Sequence, residues 1–454
     1  MASPLSDAWT CWANSKRLQL NIDKEILKLA LPSIVSNITV PLLGLVDVSI
    51  VGHIGDARYI GAIAVGSMIF NVFYWLFAFL RMGTSGLTAQ AYGAGDAAET
   101  TAMLRRSLSV AFISAAIILV LQVPLRYVSF FLMQATPDVE QLCIPYFNIC
   151  VWGAPAVLGL YALNGWFIGM QNTRIPMMIA IGQNVVNIVA SLVLVFGLGM
   201  QIEGVATGTV VAQWAGFLAA LWMLSRHKPQ CTIPTPHHPT PTTHHPSPIT
   251  LSGFLRINRD IFLRTLCLVS VNLWFTSAGA AQGAVILSVN TVLMQLYLLF
   301  SYVLDGFAYA GEALSGRYYG AGDRQALSDT VVHLFRWGAL MTVLFTLLYA
   351  LGGSSFLSLL TSDGSVIAAS RPYMPWAWFI PVAGVAAFIW DGVFIGLTLT
   401  RGMLQSCFVA SAAFFVLYFA LQPRLGNHAL WLALLVYLAL RGLVQTWLYS
   451  RRKK

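Results

Sequence analysis

The pentapeptide YGAGD occupies residues 92–96 and occurs again at residues 319–323, 227 positions later in a chain of 454 residues. Two further matches keep the same offset: GWFIGMQNTR (165–174) with GVFIGLTLTR (392–401), and PY at 145–146 with PY at 372–373. Three matches in one register are hard to obtain by chance, so we infer that the chain contains two repeats. In each YGAGD copy we expect the glycines to end a helix, since glycine tolerates left-handed backbone, and the aspartate to cap the next helix.

The composition indicates an integral membrane protein. Hydrophobic residues make up 57% of the chain and charged residues 9%, whereas an average soluble protein is roughly 25% charged. Uncharged runs occupy residues 29–46, 59–80, 107–125, 142–173, 175–202, 204–225, 265–304, 337–362, 372–390, 402–423 and 425–440. A membrane-spanning helix needs about 20 apolar residues, and the run at 265–304 is long enough for two helices joined at SAGAAQG (277–283). The expected fold is all-α, with twelve transmembrane helices in two six-helix lobes, because no run shows the alternating polarity of barrel strands.

An even number of helices places both termini on one side of the membrane. With cytoplasmic termini, 21 of the 26 Lys and Arg residues fall at cytoplasmic helix ends or tails and 4 fall at outer ends. This asymmetry is what the positive-inside rule requires. The remaining cation, Arg81, lies within a predicted span. The net charge of +9 therefore needs no nucleic-acid partner, and the expected location is the plasma (cell inner) membrane.

Composition predicts a division into five segments. They are a polar cytoplasmic N-terminus (1–22), an N-lobe (23–226), a cytoplasmic linker (227–250), a C-lobe (251–450) and a basic cytoplasmic tail (451–454). The linker is rich in Pro, Thr and His, so a flexible connection is favoured over a helix or a metal site. Six helices in each lobe give both lobes the same orientation. Such parallel repeats are a known transporter design, in which the binding site lies near the repeat interface.

Asp47 lies well inside the first predicted span, within VPLLGLVDVSIVGH (40–53). A charge at the bilayer centre costs at least about 2.5–3.5 kcal/mol, so this acid is either a protonatable coupling site or an acid bonded to a neighbouring helix. A lone buried carboxyl suits proton exchange, because protonation removes the charge that burial penalises. Pro41 removes a backbone donor, so the helix is expected to kink nearby.

The fifth predicted span carries a stripe of polar side chains. Gln183, Asn187 and Ser191 are spaced four residues apart and share one helix face, and Asn184 flanks them. Polar side chains in lipid are costly unless they face other helices or water. The stripe therefore either lines a cavity or joins two helices, since amides serve both purposes in bundles.

Other polar residues within predicted spans are candidates for a transport pathway or for structural ion pairs. They are Arg81, Asn164, Asp305, Glu312 and Asp391. The chain contains no GxSxG, HExxH, Walker A or CxxC motif, which argues against an enzyme. Without an ATP-binding loop, we expect an ion gradient to supply the energy for transport.

Four stretches carry a family resemblance: LALPSIVSNITVPLLGLVDVSIVGHIGD (29–56), FLRMGTSGLTAQAYGAGD (79–96), SYVLDGFAYAGEALSGRYYGAGD (301–323) and LGNHALWLALLVYLALRGL (425–443). They resemble the multidrug and toxic compound extrusion (MATE) transporters, most of all the DNA-damage-inducible, DinF-like branch. The resemblance covers about residues 23–450. It implies a twelve-helix exporter in membrane lipid that is coupled to H⁺ or Na⁺, uses no other cofactor and moves small organic, cationic or amphipathic compounds outward by alternating access.

The resemblance also assigns roles to individual residues. Asp47 matches the cation-coupling acid of the first helix, Pro32 the proline at which that helix bends, and Asn187 the amide of the same site. Many relatives carry an acid where this chain has Ser191, and VNLWF (271–275) lacks an acid found in another branch. A single carboxylate favours H⁺, and any Na⁺ site at Asp47 and Asn187 is expected to be weak.

Two alternatives to drug export remain open at this point. One is a flippase for lipid-linked precursors from the wider superfamily, and the other is an intramembrane enzyme or scaffold. The duplicated halves and the missing motifs favour the exporter, which we expect to be a monomer.

Overall fold

The computed structural model describes residues 21–39, 44, 50, 57–133, 137–226, 250–360 and 363–453, and these residues form helices and short turns. The helices of the described ranges are α1 (21–39), α2 (Ala57–Leu76), α3 (Phe79–Gly93), α4 (Ala97–Val120), α5 (Gln122–Met133), α6 (Pro137–Cys150), α7 (Ala154–Gly169), α8 (Arg174–Leu192), α9 (Ile202–Arg226), α10 (Leu251–Ala280), α11 (Ala284–Gly320), α12 (Arg324–Leu360), α13 (Gly364–Ser370), α14 (Met374–Gly396), α15 (Thr400–Leu425) and α16 (Asn427–Lys453). A π-helical turn, Val193–Gly197, continues α8.

The described residues contain 11 helical segments that are long and apolar enough to cross a membrane. The predicted division of the run at 265–304 is confirmed, because α10 ends at Ala280 and α11 begins at Ala284. The first predicted span begins within α1 and continues into residues that the structure does not describe. The all-α membrane fold with a repeated unit is confirmed.

The repeated YGAGD turn has the same backbone in both halves. Gly95 has φ 73° and Gly322 has φ 72°, in the left-handed region that favours glycine. Asp96 accepts a hydrogen bond from the amide of Glu99 at 2.8 Å, and Asp323 accepts one from the amide of Ala326 at 2.9 Å. The predicted helix stops and aspartate caps are therefore confirmed in both copies.

A second turn repeats at the same offset without a glycine. Gln171 (φ 61°) and Thr398 (φ 54°) lie in the left-handed region just after α7 and α14 end. Left-handed backbone is uncommon for residues with a Cβ. Its occurrence at equivalent positions of both repeats shows that the duplication extends to backbone conformation.

Glycines at equivalent positions allow one pair of helices to pack closely in each repeat. A Cβ on Gly165 of α7 would overlap the Arg81 carbonyl of α3, and a Cβ on Gly392 of α14 would overlap the Ala308 carbonyl of α11. The two contacts are related by the same offset of 227 residues. Small residues at such crossings let helix backbones approach in membranes, where packing drives association.

Gly392→Ala is therefore expected to destabilise the protein by about 1–3 kcal/mol, the usual cost of inserting a methyl group into a filled space. The matched control is Gly352→Ala, because a Cβ there meets nothing within 4 Å. We expect Gly392→Ala to lower the melting temperature of the detergent-solubilised protein and Gly352→Ala to leave it unchanged or raise it slightly. Equal melting temperatures for both variants would contradict the packing argument.

The described residues group into two compact units. One contains 21–34, 267–360 and 363–453, and the other contains 35–39, 44, 50, 57–133, 137–226 and 250–266. The first of these, the C-terminal unit, thus includes the beginning of α1 (21–34). The second, the N-terminal unit, includes the beginning of α10 (up to residue 266). The predicted lobes (23–226 and 251–450) follow the sequence repeat, whereas the two units follow packing. The beginnings of α1 and α10 are the segments that the two divisions assign differently.

Acidic side chains attach the beginning of α1 to the C-terminal unit. Asp23 accepts a hydrogen bond from Trp337 Nε1 at 2.9 Å and lies 2.8 Å from His333 Nδ1. Glu25 accepts a hydrogen bond from the Tyr318 hydroxyl at 2.8 Å.

The beginning of α10 packs in the N-terminal unit. Phe254 is fully buried against Leu87 and Met103, and Asn258 lies against Gly83 of α3. The predicted linker (227–250), apart from Thr250, and the N-terminal segment up to residue 20 lie outside the described residues, so their boundaries stay predictions.

Candidate functional site

The predicted coupling site contains a buried amide on α8. Asn187 is 1% exposed, and its Nδ2 donates a hydrogen bond to Thr209 Oγ1 of α9 at 3.2 Å. The Thr209 hydroxyl in turn donates to the Val205 carbonyl at 2.9 Å. This chain of hydrogen bonds determines how the amide is oriented.

A threonine hydroxyl has one proton and two lone pairs. The Thr209 hydroxyl donates its proton to the Val205 carbonyl, so it can only accept a hydrogen bond from Asn187. The NH₂ group of Asn187 must therefore face Thr209. Asn187 Oδ1 is then left buried, with no hydrogen-bond partner among the described residues. A buried acceptor without a partner is costly, and it suits a ligand that carries a proton or a positive charge.

The other two members of the polar stripe also face α9. Ser191 lies against Gly208 of α9, and Gln183 lies against Gly216. A Cβ on Gly208 would overlap Ser191, and a Cβ on Gly216 would overlap Gln183. Ser191 is fully buried, and its Oγ has no hydrogen-bond partner within the described part of the chain. The stripe therefore joins α8 to α9, and two of its buried oxygens have no hydrogen-bond partner among the described residues.

Asn184, beside the stripe, connects α8 to α1. Its Nδ2 donates a hydrogen bond to the Thr39 carbonyl at 3.1 Å. Pro32 lies within α1, which stays helical through it, although the proline ring cannot donate to the carbonyl four residues earlier. Asp47 and Pro41 lie outside the described residues, so their contacts with α8 stay predictions.

Asp391 forms a buried ion pair in the C-terminal unit. Arg441 Nη2 donates to Asp391 Oδ2 at 2.6 Å, and Gln445 Nε2 donates to Asp391 Oδ1 at 2.8 Å. The Arg441 guanidinium also lies over the Tyr437 ring, 5.5 Å from its centroid. Of the two roles considered for Asp391, this geometry supports the structural ion pair. Arg441 was counted among the charges at helix ends, but it is 3% exposed.

The two equivalent positions of the N-terminal repeat cannot form this ion pair. The positions 227 residues before Asp391 and Arg441 are Asn164 and Trp214, so both charges are absent together. Asn164 Oδ1 is buried without a hydrogen-bond partner among the described residues. Trp214 Nε1 donates instead to the Trp152 carbonyl at 3.1 Å.

The remaining pathway candidates lie on α3 and α11. Arg81 is half-buried on α3. On α11, Asp305 accepts a hydrogen bond from Ser301 at 3.2 Å, and Glu312 is 1% exposed. In the described ranges, no group of three or more His, Cys, Asp and Glu side chains could hold a metal ion.

Sequence reasoning did not identify Thr209 or the partner of Asp391. A single threonine in an apolar helix is ordinary, and its contact with Asn187 depends on how α8 and α9 pack. The pairing of Asp391 with Arg441 joins residues that are 50 positions apart. The only sequence signal for either was a polar side chain within a span.

Comparisons with known proteins agree with this fold. The MatE family model matches residues 32–193 and 261–421, one segment in each repeat. DNA damage-inducible protein F of Escherichia coli (strain K12) is 39% identical over 421 residues, which cover 93% of this chain and 90% of that protein. The probable multidrug resistance protein NorM of Synechocystis sp. is 27% identical over 313 residues, which cover 65% of this chain and 64% of that protein.

Solved structures share the fold at low identity. The Vibrio cholerae MATE transporter VcmN, in its bent form, superposes with a TM-score of 0.83 at 16% identity and covers 96% of this chain and 98% of that chain. The duplicated helical units, the matches in both repeats and the 39% identity over most of the chain lead to one conclusion. The chain belongs to the multidrug and toxic compound extrusion (MATE) family of membrane transporters.

Proposed function

We propose that this protein is an H⁺-coupled antiporter that exports small organic, cationic or amphipathic compounds by alternating access. It acts as a monomer in the plasma (cell inner) membrane, with both termini in the cytoplasm. The names of its relatives, which include a probable multidrug resistance protein, support drug-like substrates. Without the buried Arg441, the basic residues divide 20 to 4 between the predicted cytoplasmic and outer ends, which supports the orientation.

The observation that carries this proposal is the oriented amide of Asn187. Its buried Oδ1 has no hydrogen-bond partner among the described residues, so it can accept a hydrogen bond from a protonated carboxyl. In the proposed mechanism this carboxyl is Asp47, and Gln183, Asn184 and Ser191 complete its surroundings. Na⁺ prefers several oxygen ligands and nearby negative charge, and a single carboxylate would hold it only weakly.

Protonation of Asp47 is proposed to change the contacts between α1 and α8. The neutral acid can donate a hydrogen bond to Asn187 Oδ1, which the carboxylate cannot do, so α1 shifts and bends near Pro32 or Pro41, the cavity of the N-lobe shrinks and substrate leaves. The helix has a weak point for such a bend, because Pro32 cannot donate a backbone hydrogen bond. Its beginning (21–34) also packs in a different compact unit from residues 35–39.

The proton gradient supplies enough energy for export. Exchange of one proton for one monovalent organic cation moves no net charge, so the pH difference drives it, and a difference of about 1.7 pH units releases about 2.3 kcal/mol, at about 1.36 kcal/mol per unit. At about 1.4 kcal/mol per tenfold change in an equilibrium constant, this energy supports a roughly 50-fold substrate gradient.

Flux measurements in proteoliposomes test the proposal. Vesicles that contain the full-length protein are loaded with ethidium and exposed separately to a pH gradient and to a Na⁺ gradient. We expect the pH gradient alone to drive ethidium transport, which a protonophore should abolish. Transport driven by Na⁺ alone would contradict proton coupling. If no organic cation moves but a fluorescent polyprenyl-phosphate lipid crosses the bilayer, the protein is a flippase instead.

A further inference from the structure

The C-terminal unit contains a lateral groove that the proposed transport mechanism does not use. It lies between α12, α14 and α16 and has a volume of about 590 Å³, within the roughly 300–1,000 Å³ typical of small-molecule sites. Val331, Phe335 and Ala339 of α12 form one wall, and Trp390 of α14 forms the floor. The lining is thus almost entirely apolar.

The polar atoms of the floor are already satisfied within the protein. Trp390 Nε1 donates to Thr446 Oγ1 at 2.7 Å, and the Thr446 hydroxyl donates to the Gly442 carbonyl at 2.7 Å. The Trp390 ring also packs against Phe335 and Tyr449, with centroid distances of 5.0 and 4.5 Å. Ordered water would find few partners on this surface, whereas a hydrocarbon chain would gain from contact with it.

One basic side chain, Arg336, borders the groove. It is exposed, and it forms no ion pair with a described residue. Ser450 lies on the opposite wall, and the guanidinium of the next residue, Arg451, lies over the Trp447 ring, 4.0 Å from its centroid. Arg336 is therefore the basic residue that offers a positive charge to a ligand of the groove.

From the sequence, we expect the groove to lie near the depth where lipid headgroups meet hydrocarbon. Arg336 comes immediately before the uncharged run 337–362, and Ser450 comes immediately before the basic end of the chain. Basic pockets between transmembrane helices on the positively charged side of a membrane bind anionic headgroups. A ligand for this groove needs both a negative head and an apolar tail.

We propose that the groove binds one anionic phospholipid from the surrounding leaflet. Its phosphate lies against Arg336, and one acyl chain lies along Val331, Phe335 and Trp390. A zwitterionic lipid would lack the net charge that Arg336 selects, and free phosphate would lack the chain that fills the groove. This site is separate from the polar stripe on α8, which belongs to the other compact unit.

Native mass spectrometry of the full-length protein in detergent tests the proposal. The protein is titrated with phosphatidylglycerol and with phosphatidylcholine of the same acyl chains. We expect one phosphatidylglycerol to bind tightly and phosphatidylcholine to bind more weakly. Arg336→Ala should weaken phosphatidylglycerol binding about fivefold, which corresponds to roughly 1 kcal/mol per basic residue near a membrane surface.

Two further variants separate the groove from general electrostatics. Arg324→Ala removes the same charge from an exposed position of α12 that is about 18 Å from Arg336 along the helix, and it should leave lipid binding unchanged. Ala339→Trp fills the groove from an exposed position and should weaken phosphatidylglycerol binding although Arg336 is intact. Melting temperatures check that the variants are folded.

Three results would overturn the proposal. One is an equal loss of phosphatidylglycerol binding in Arg324→Ala and Arg336→Ala. Another is unchanged binding in Ala339→Trp. The third is displacement of the lipid by millimolar inorganic phosphate, because this would show that the phosphate group alone accounts for binding.

Discussion

Asp47→Asn is expected to abolish export that is driven by a pH gradient, while the variant still folds and inserts. Asparagine has nearly the same size as aspartate but cannot take up or release a proton. The proposed protein should build a roughly 50-fold ethidium gradient from a pH difference of about 1.7 units, and the variant should build none. The measurement is ethidium accumulation in proteoliposomes under a fixed pH gradient, with the amount of inserted protein determined for each preparation.

Variants of Thr209 test whether the orientation of the Asn187 amide matters for proton-coupled transport. Thr209→Val removes the acceptor that orients the Asn187 amide, so it should lower coupled transport partially. Thr209→Ser keeps the hydroxyl and should retain transport. If Asp47→Asn pumps at the wild-type rate, the coupling acid lies elsewhere, and Asp305 and Glu312 become the next candidates.

Breaking the ion pair between Asp391 and Arg441 is expected to have the largest effect on stability. Removal of one partner from a buried pair costs about 3–5 kcal/mol, because it leaves the other charge uncompensated. Asp391→Leu should therefore strongly lower the melting temperature and the yield of folded protein. The double variant Asp391→Leu, Arg441→Met should recover most of the loss, since apolar residues of similar volume can replace a buried pair.

Asp329→Asn is the control for this prediction, and Asp391→Asn tests the opposite interpretation. Asp329→Asn removes an acid that bonds to Gln325 at 3.0 Å on a partly exposed face of α12, and it should change the melting temperature little. Asp391→Asn keeps the shape of the side chain. If that variant melts like the wild type but no longer transports, Asp391 belongs to the pathway and its ion pair is not mainly structural.

The repeat and the helical fold could be predicted from the sequence because their signals are local or strictly periodic. The absence of charge over about 20 residues is enough to predict a span. A glycine followed by an aspartate is enough to predict a helix end and the next cap, as the turns at Gly95–Asp96 and Gly322–Asp323 confirm.

The partners of buried polar groups could not be predicted in this way. Burial requires a partner for Asp391, but the sequence does not show that the partner is Arg441, which looked like an ordinary charge at a helix end. Likewise, the sequence does not show that Asn187 bonds to Thr209. Their hydrogen bond depends on the rotation and depth of α8 against α9, and neither is encoded in a local pattern.

By itself, the sequence determined the duplication, the membrane-spanning helices and the stripe of polar residues on the fifth span, because each follows from spacing along one chain. Only the tertiary structure decided which side chains pair, how the Asn187 amide is oriented, where the lateral groove lies, and that each compact unit includes the beginning of the other repeat's first helix. These features arise from contacts between helices, and the free energy of such contacts depends on packing between residues that are distant in the chain.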